Sequence, residues 1–179
     1  MSCLKTLTGL GRSCDSNIPG LRIVAFANRE DVASVTFGAD GLSVSAITMA
    51  SGATFYKYYF AKNTGSLTTT HVRSDENGNN YYTAAINLQF NKMEAAKHVE
   101  IEALAEGNLI AIATDNNGIH HLVGYDNYLS SEGEEIAGSG ASIDDRNGYT
   151  LTLTATEKKI GYIVPDEVYN SLAISEPAA

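Results

Sequence analysis

The four histidines are the residues of this chain best suited to metal binding or acid–base catalysis. They are His71, His98, His120 and His121. His120 and His121 are adjacent in a segment with a strand pattern, where neighbouring side chains point to opposite faces. One packed and one surface histidine is therefore the expected arrangement. No second cluster has the spacing of zinc ligands, so neither a metal nor another cofactor is expected.

Two pairs of acidic residues raise the possibility of acid–base work on a sugar, which uses two carboxyl groups. The pairs are Glu134 with Glu135, and Asp144 with Asp145. Both lie in glycine-rich segments that are expected to face solvent. A carboxylate there is not desolvated enough for a useful shift of its pKa, so the pattern favours solvated loops over catalysis.

Two glycine-containing segments resemble ligand loops only in part. Residues 75–79 read Asp-Glu-Asn-Gly-Asn, like the start of a calcium loop, but Asn80 stands where that loop needs glycine and Ile86 where it needs a bidentate Glu. An Asn-Gly turn is expected instead. Gly9 and Gly11 follow no apolar strand and precede no Gly-Lys-Ser/Thr, so a phosphate loop is not supported. Taken together, the sequence favours a protein that is not an enzyme.

Composition places the chain among soluble single-domain proteins. It has 179 residues and a net charge of 12 − 21 = −9. An acidic chain is a poor candidate for tight binding of nucleic acid, which depends on Lys and Arg. Cys3 and Cys14 are too few for a disulfide framework; free thiols are favoured, with one local bridge as the alternative. No signal peptide or membrane span is recognised, so synthesis in the cytoplasm is expected.

Strand patterns dominate the chain from residue 21 onwards. In residues 81–90 one face carries Ala84, Ile86 and Leu88, and the other carries polar residues. Residues 149–157 alternate in the same way, with threonine at every second position. The expected strands are 21–28, 34–37, 42–49, 54–60, 67–73, 81–90, 109–114, 119–125 and 149–157.

One helix is expected at about residues 91–106. Asn91 is the expected cap, Glu94 completes a capping-box pattern, and Gly107 is the expected left-handed stop. The helix face expected to pack on the core carries Ala96, Val99, Ala103 and Leu104. A second, short helix is expected over residues 165–173, because proline favours the first turn.

These elements predict a mostly β fold, an antiparallel β-sandwich or barrel-like domain with one flanking helix and extended terminal arms. The chain is expected to form a single domain over residues 1–179. Its parts are an N-terminal arm at 1–20, a β domain at 21–164, and a C-terminal short helix and tail at 165–179.

Several segments together resemble the tail-tube proteins of bacteriophages of Bacteroidota. They are the strand at 21–28, the aromatic run Phe-Tyr-Lys-Tyr-Tyr-Phe at 55–60, Gly124 with Tyr125, and Asp-Arg-Asn-Gly-Tyr-Thr-Leu-Thr-Leu at 145–153. The resemblance covers most of residues 20–157 and consists of turns and strands. It implies a tail-tube fold in which six subunits form a ring, inner sheets join around a lumen, and rings stack through loops and arms.

The resemblance also implies partners and a location. The chain is expected to bind copies of itself and other virion tail proteins, and to be part of the virion tail. Double-stranded DNA is expected to pass through the lumen without specific binding, and no membrane is expected as a partner. A negative lumen would repel phosphate, and six copies carry 6 × −9 = −54.

Two sets of residues follow as candidates for this role. The residues expected to face the lumen are Thr83, Asn87 and Gln89, with the threonines at 150–156 as the alternative. The long hairpin between rings is assigned to residues 61–82. The residues expected to contact other subunits or rings are Asn63, Thr64, Asp75, Glu76, Asn77 and Tyr81.

Two other classes of protein remain open from the sequence. One is another virion protein, such as a capsid decoration, tail-terminator or neck component. The other is a carbohydrate- or surface-binding β module, which would need an export signal and exposed aromatic platforms.

Overall fold

The computed structural model describes residues 8–133 and 136–177 and is mostly β, with 47% of residues in strands and 12% in helices. The helices are α1 (Ala95–Glu106) and α2 (Asp166–Ser171), and a 3₁₀ turn spans Arg29–Asp31. The strands are, in chain order, β1 (Leu21–Asn28), β2 (Val32–Phe37), β3 (Val44–Met49), β4 (Phe55–Tyr58), β5 (Gly65–Ser74), β6 (Asn79–Asn91), β7 (Leu109–Asp115), β8 (His120–Val123), β9 (Ser130–Ser131), β10 (Ala137–Gly138), β11 (Gly148–Glu157), β12 (Tyr162–Val164) and β13 (Ile174–Ser175).

A six-stranded sheet forms the centre of the molecule, with the strand order β12-β8-β7-β1-β4-β13. Its pairs are antiparallel except that of β13 with β4. Both faces of this central sheet are covered, so β7 is buried along nearly its whole length. A strand covered on both faces has a continuous apolar sequence instead of an alternating one, as Leu-Ile-Ala-Ile-Ala does here.

A second sheet packs on one face of the central sheet, with the order β10-β11-β6-β5 and β9 also paired with β11. The core between the two sheets includes Phe26 from the central sheet, Ile86 and Leu153 from the second sheet, and Ile101 from α1. Burying one face of β6 and β11 requires alternation with a period of two. The expected alternation of both strands is therefore confirmed.

The other face of the central sheet is covered by the β2–β3 hairpin and α2. Val32 and Val44 of the hairpin pack with Ile110 and Ile112 of β7, and Tyr169 of α2 packs at the border. None of the sheets formed by residues 8–133 and 136–177 closes into a barrel. A sandwich-like arrangement of open sheets is compatible with the fold, whereas the barrel-like form does not describe the single chain.

The central helix differs from its expected form. Asn91 ends β6 and does not cap α1; Glu94 occupies the cap position without a side-chain cap bond, and its carboxylate forms ion pairs with Lys92 and Lys97. Gly107 has a φ of −76°, so it is not a left-handed stop. A Cβ there would lie 2.9 Å from the oxygen of Ala103, which gives glycine a steric reason instead.

The buried face of α1 also differs from the expectation. Ile101 and Leu104, three residues apart and therefore on one side of the helix, are its buried residues. Ala96, Val99 and Ala103 are exposed, so their expected place against the core was wrong. The apolar residues of α1 are spread around the helix and only part of them meet the core.

The two ends of the chain differ in their contacts. Residues 8–20 contain no helix or strand. At the other end, the short helix is present as α2 with Pro165 before it, but Ile174–Ser175 forms β13 and is not a free tail. Neither helix in the described part of the chain has the length and apolar character needed to cross a bilayer.

Candidate functional site

The outward face of the second sheet carries an uncharged polar surface, which we call the threonine face. Its rows lie side by side because Thr150 pairs with Gln89, Thr152 with Asn87 and Thr156 with Thr83. The threonine face comprises Ser66, Thr68 and Thr70 of β5, Thr83, Ala85, Asn87 and Gln89 of β6, and Thr150, Thr152, Thr154 and Thr156 of β11.

Hydrogen bonds link the rows of the threonine face to each other and to its margin. Thr152 Oγ1 donates to Asn87 Oδ1 at 2.8 Å, and Thr154 Oγ1 donates to Glu132 Oε1 at 2.6 Å. Arg146 donates to the hydroxyl of Thr150. The charged groups therefore stand beside the face, and the face itself presents hydroxyls, amides and methyl groups.

The three residues expected to face the lumen lie on the same face as the threonines of β11, which were the alternative to them. Thr83, Asn87 and Gln89 share one face of β6, and the threonines of β11 lie directly beside them. Sequence reasoning missed Ser66, Thr68 and Thr70. The signal for them was the Thr-rich run in β5, whose place on the same face depends on a pairing register that the sequence does not reveal.

The edge of the second sheet formed by β5 is open. Along this strand no other strand of the described chain pairs on the side away from β6. The Gln89 N–H donates to the Thr64 carbonyl, and these two residues are directly opposite in the β5–β6 register. Hydrogen-bonded pairs alternate in an antiparallel ladder. The N–H and C=O groups of Leu67 and Thr69 therefore point to the open edge.

The opposite edge of this sheet is only partly covered. β9 and β10, of two residues each, pair with β11 at separate places. The N–H of Thr150 donates to the carbonyl of Ile136 at 2.8 Å. The sheet thus has one open edge of ten residues and one edge made of short pieces.

The residues expected to contact other rings lie near the two ends of β5. Asn63, with a φ of 64°, and Thr64 form the turn before β5. Asp75, Glu76 and Asn77 form the turn after it, at the tip of the β5–β6 hairpin. Ten residues of strand separate these turns by roughly 33 Å.

A long hairpin, β5–β6, overlaps the expected range 61–82 but continues to Asn91; its expected place between rings stays a prediction. The last pair between β6 and β11 is Tyr82 with Glu157. Tyr81 and the tip therefore extend past the end of β11, and among the described strands it is β5 that pairs with this part of β6.

The N-terminal arm leaves the body at a defined place. Asn117 contacts Asn17 and Ile18 through hydrogen bonds of 2.8–3.2 Å, and Asn116 Nδ2 donates to the Pro19 carbonyl at 2.7 Å. Both asparagines belong to the turn between β7 and β8. Residues 8–16 are exposed throughout, Cys14 included.

One cluster has the residue types of a hydrolytic triad. Thr114 Oγ1 lies 2.8 Å from His120 Nδ1, and His120 Nε2 lies 3.5 Å from Asp166 Oδ1. Thr114 is only 2% exposed, and the ring of His120 is stacked on Tyr169 at 3.9 Å. Burial lowers the pKa of His120. With its hydroxyl covered, Thr114 has no access to a substrate, so the cluster anchors α2.

The adjacent histidines occupy the expected opposite faces. His120 is buried, whereas His121 is partly exposed, with Nε2 3.6 Å from Asp115 Oδ2. Within residues 8–133 and 136–177, no three His, Cys, Asp or Glu side chains come together as a metal site. Asp144 and Asp145 are exposed in a loop. Cys3, Glu134 and Glu135 lie outside the described residues.

A buried carboxyl group holds the turn that follows β8. Glu157 is 3% exposed, and its side chain accepts hydrogen bonds from the backbone N–H groups of Gly124, Tyr125 and Asp126. Gly124 has a φ of 87°, and a Cβ there would lie 2.7 Å from the Leu109 carbonyl oxygen. Burial raises the pKa of Glu157 to about 7, against the lowering effect of the N–H donors.

Glu157 and Gly124 are not among the lining residues of three grooves in the described chain, which lie at Tyr59 and Phe60, at Ile18 and Leu67, and at Tyr58 and Ile101, and the carboxyl group is engaged by three backbone N–H groups. The group therefore acts as an anchor within the fold. Comparisons of the chain with family models, with curated proteins and with solved structures find no match.

Proposed function

We propose that this chain is a non-catalytic structural subunit of a bacteriophage tail tube, which assembles with its own copies into stacked rings around a channel. The observation that carries the proposal is the open ten-residue edge of β5 beside the threonine face. An open strand edge is a ready template for pairing with another chain. Pairing with a sister copy at the other, short-stranded edge of the sheet would satisfy it.

The chemistry of the threonine face suits the wall of a hydrated channel. Its hydroxyls and amides bind water, while it offers no Lys or Arg to neutralise phosphate, the main source of affinity for DNA. In this proposal the lumen is uncharged, not negative as expected from the sequence, because the charged side chains Glu132 and Arg146 lie at the margin of the threonine face. Repulsion of phosphate by a negative wall is therefore not part of the proposal. Passing DNA would meet a wet surface to which it does not adhere.

The positions of the two turns beside β5 suit stacking. Asn63 and Thr64 lie at one end of the strand and Asp75, Glu76 and Asn77 at the other. If β5 runs along the channel, one turn of each subunit meets the ring above and the other the ring below. The arm, exposed from residue 8 to residue 16, is a further contact between copies. The resemblance to tail-tube proteins supports rings of six and a place in the virion tail.

A pair of proline substitutions tests the edge pairing. Thr69→Pro removes an N–H that points to the open edge, a position where a sheet tolerates proline. Thr68→Pro removes an N–H that points to β6 and should destabilise the subunit. We expect the wild type to sediment as large assemblies and Thr69→Pro as folded monomers. Normal assembly of folded Thr69→Pro would overturn the edge-paired tube.

A further inference from the structure

An apolar groove of about 690 Å³ lies between β4 and α1, within the range of about 300–1,000 Å³ that is usual for ligand sites. Tyr59, Phe90, Ala96 and Ile101 are among its lining residues. Tyr59 is half exposed and Ala96 is exposed. Aromatic and aliphatic side chains thus face solvent in a concave surface, outside the threonine face.

The apolar surface continues from the groove along α1. Ala96 lines the groove, and Val99 and Ala103 follow on the exposed part of the helix, with Val99 66% exposed. Helices on the surface of a monomer normally carry polar residues on the solvent side. The exposed apolar residues of α1 therefore indicate a surface that another chain covers.

The edge of the central sheet formed by β4 and β13 also borders the groove. β13 pairs with β4 only at Phe55 and Tyr56, and Glu176, the residue after β13, forms an ion pair with Lys57. Residues 175–177 line the groove on that side, and Glu176 also accepts a hydrogen bond from the hydroxyl of Tyr59 at 2.8 Å. The C-terminal segment therefore forms one wall of the groove, and α1 forms the other.

The N-terminal arm has the length and the residues to fill such a groove. Residues 8–16 span roughly 30 Å when extended. Leu10 is fully exposed (103%) between Gly9 and Gly11. Arg12 is the basic residue nearest to it in the sequence. In the groove, Glu100 has no cation partner within the described residues, and its Oε2 accepts only the hydroxyl of Tyr58. The two lysines that line the groove, Lys57 and Lys97, are already paired with Glu176 and Glu94. Leucine and arginine thus meet an apolar pocket with one carboxylate that has no ion pair.

The base of the arm is held at one end of the central sheet. Asn116 and Asn117, in the turn between β7 and β8, fix it there, and a Cβ on Gly20 would lie 3.5 Å from the carbonyl of Gly65 at the start of β5. Residues 8–16 continue from this point and are exposed. They are therefore open to contact with a neighbouring copy.

We propose that this groove receives the N-terminal arm of a second copy, with Leu10 in the apolar pocket and Arg12 near Glu100. The assignment rests on the self-association proposed above and names the surface that the arm uses. The arm of each copy then covers the exposed face of α1 in a neighbour.

Crosslinking between two different variants tests the assignment. Both carry Cys3→Ser and Cys14→Ser; one adds Gly11→Cys, where an ideal Cβ meets nothing within 4 Å, and the other adds Ala96→Cys. Because each chain has a single thiol, a short bis-maleimide can join arm to groove only between copies. We expect covalent dimers of the two variants. Thr48→Cys, exposed on β3, replaces Ala96→Cys as the control and should give none.

A matched pair of apolar-to-acid substitutions gives a second readout. Leu10→Asp should raise the concentration needed for assembly by about tenfold or more, because one buried leucine is lost at each contact. Ile143→Asp is the control, because Ile143 is equally exposed (100%) in a loop outside the arm. It should leave assembly unchanged.

The outcomes separate this assignment from the proposed function. If tubes form but arm and groove do not crosslink, or if Leu10→Asp assembles like Ile143→Asp, the arm assignment is wrong and the tube stands. Crosslinking only within one chain, in a variant with both cysteines, would also overturn it. If the wild type stays monomeric at all concentrations, both proposals fail.

Discussion

The hydroxyl of Thr152 donates a hydrogen bond to the side-chain oxygen of Asn87, 2.8 Å away, across the pair of strands β11 and β6. Leu151, the preceding residue, is fully buried on the other side of the same sheet. One strand therefore separates an apolar core from a polar surface. The two sides are expected to respond very differently to substitution.

We predict that Leu151→Ala lowers the free energy of unfolding by about 2–5 kcal/mol, the usual cost of truncating a buried leucine. Thr152→Ala should cost about 1 kcal/mol or less, because water can replace a bond on a half-exposed face. Urea unfolding of both variants measures the difference. Equal losses would mean that the threonine face is not a solvated surface of the subunit.

The alternation on β6 and β11 was predictable because one face of each strand is buried and the other is not. The same alternation of buried and outward positions continues to Glu157, which lies on the buried face after Tyr149, Leu151, Leu153 and Ala155. An acidic residue at that position was a visible sign of a buried carboxyl group. Its partners are backbone N–H groups about 30 residues earlier, and no local pattern indicates them.

Other parts of the fold depend on contacts that the sequence does not show. Valine is a typical core residue, so helical periodicity alone could not show that Val99 of α1 is exposed. β13 has only two residues and owes its existence to the edge of β4. The place of Thr68 beside Ala85 depends on the register of a hairpin. Tertiary packing decides each of these features.

The buried carboxyl group of Glu157 should give stability an unusual pH dependence. Its pKa is raised from 4.5 to about 7 in the folded chain, so the folded state holds this proton more tightly than the unfolded state. The resulting stabilisation is complete below about pH 4.5 and is lost as the pH rises through 7. The expected loss is at most about 3 kcal/mol, because each pH unit between the two pKa values corresponds to about 1.4 kcal/mol.

Glu157→Gln isolates this contribution, since glutamine keeps the shape and does not titrate. We expect the difference in unfolding free energy between wild type and variant to change between pH 5 and pH 8, with the wild type losing more. Carboxyl groups with lowered pKa values, such as Asp40 and Asp145, cancel in this difference. A difference independent of pH would contradict the assigned state of Glu157.

Removal of residues 1–15 should separate assembly from folding. The contacts of Asn17, Ile18 and Pro19 with the turn between β7 and β8 remain, so the free energy of unfolding should change by less than about 0.5 kcal/mol. Tube growth should stop, because the arm is lost. Light scattering follows growth and thermal melting follows stability; a truncated protein that polymerises normally would refute the role of the arm.

Charge reversal at the hairpin tip should shorten the assemblies. Asp75 and Glu76 are exposed, and the pair of Asp75 with Arg73 is at the surface, so Asp75→Lys with Glu76→Lys should cost little stability. In stacked rings these lysines approach the end of β5 where Lys62 and Lys92 lie, and like charges repel. Glu30→Lys, an exposed site outside the hairpin, is the control. Equal lengths of the assemblies in electron micrographs would rule out this contact.

Electron microscopy of the negatively stained, purified wild-type protein over a range of concentrations tests the central claim most directly. The claim is that sister copies satisfy the open edge of β5 and enclose the threonine face. We predict long hollow tubes made of stacked rings. Isolated rings would favour a tail terminator, and single particles at every concentration would contradict the tube.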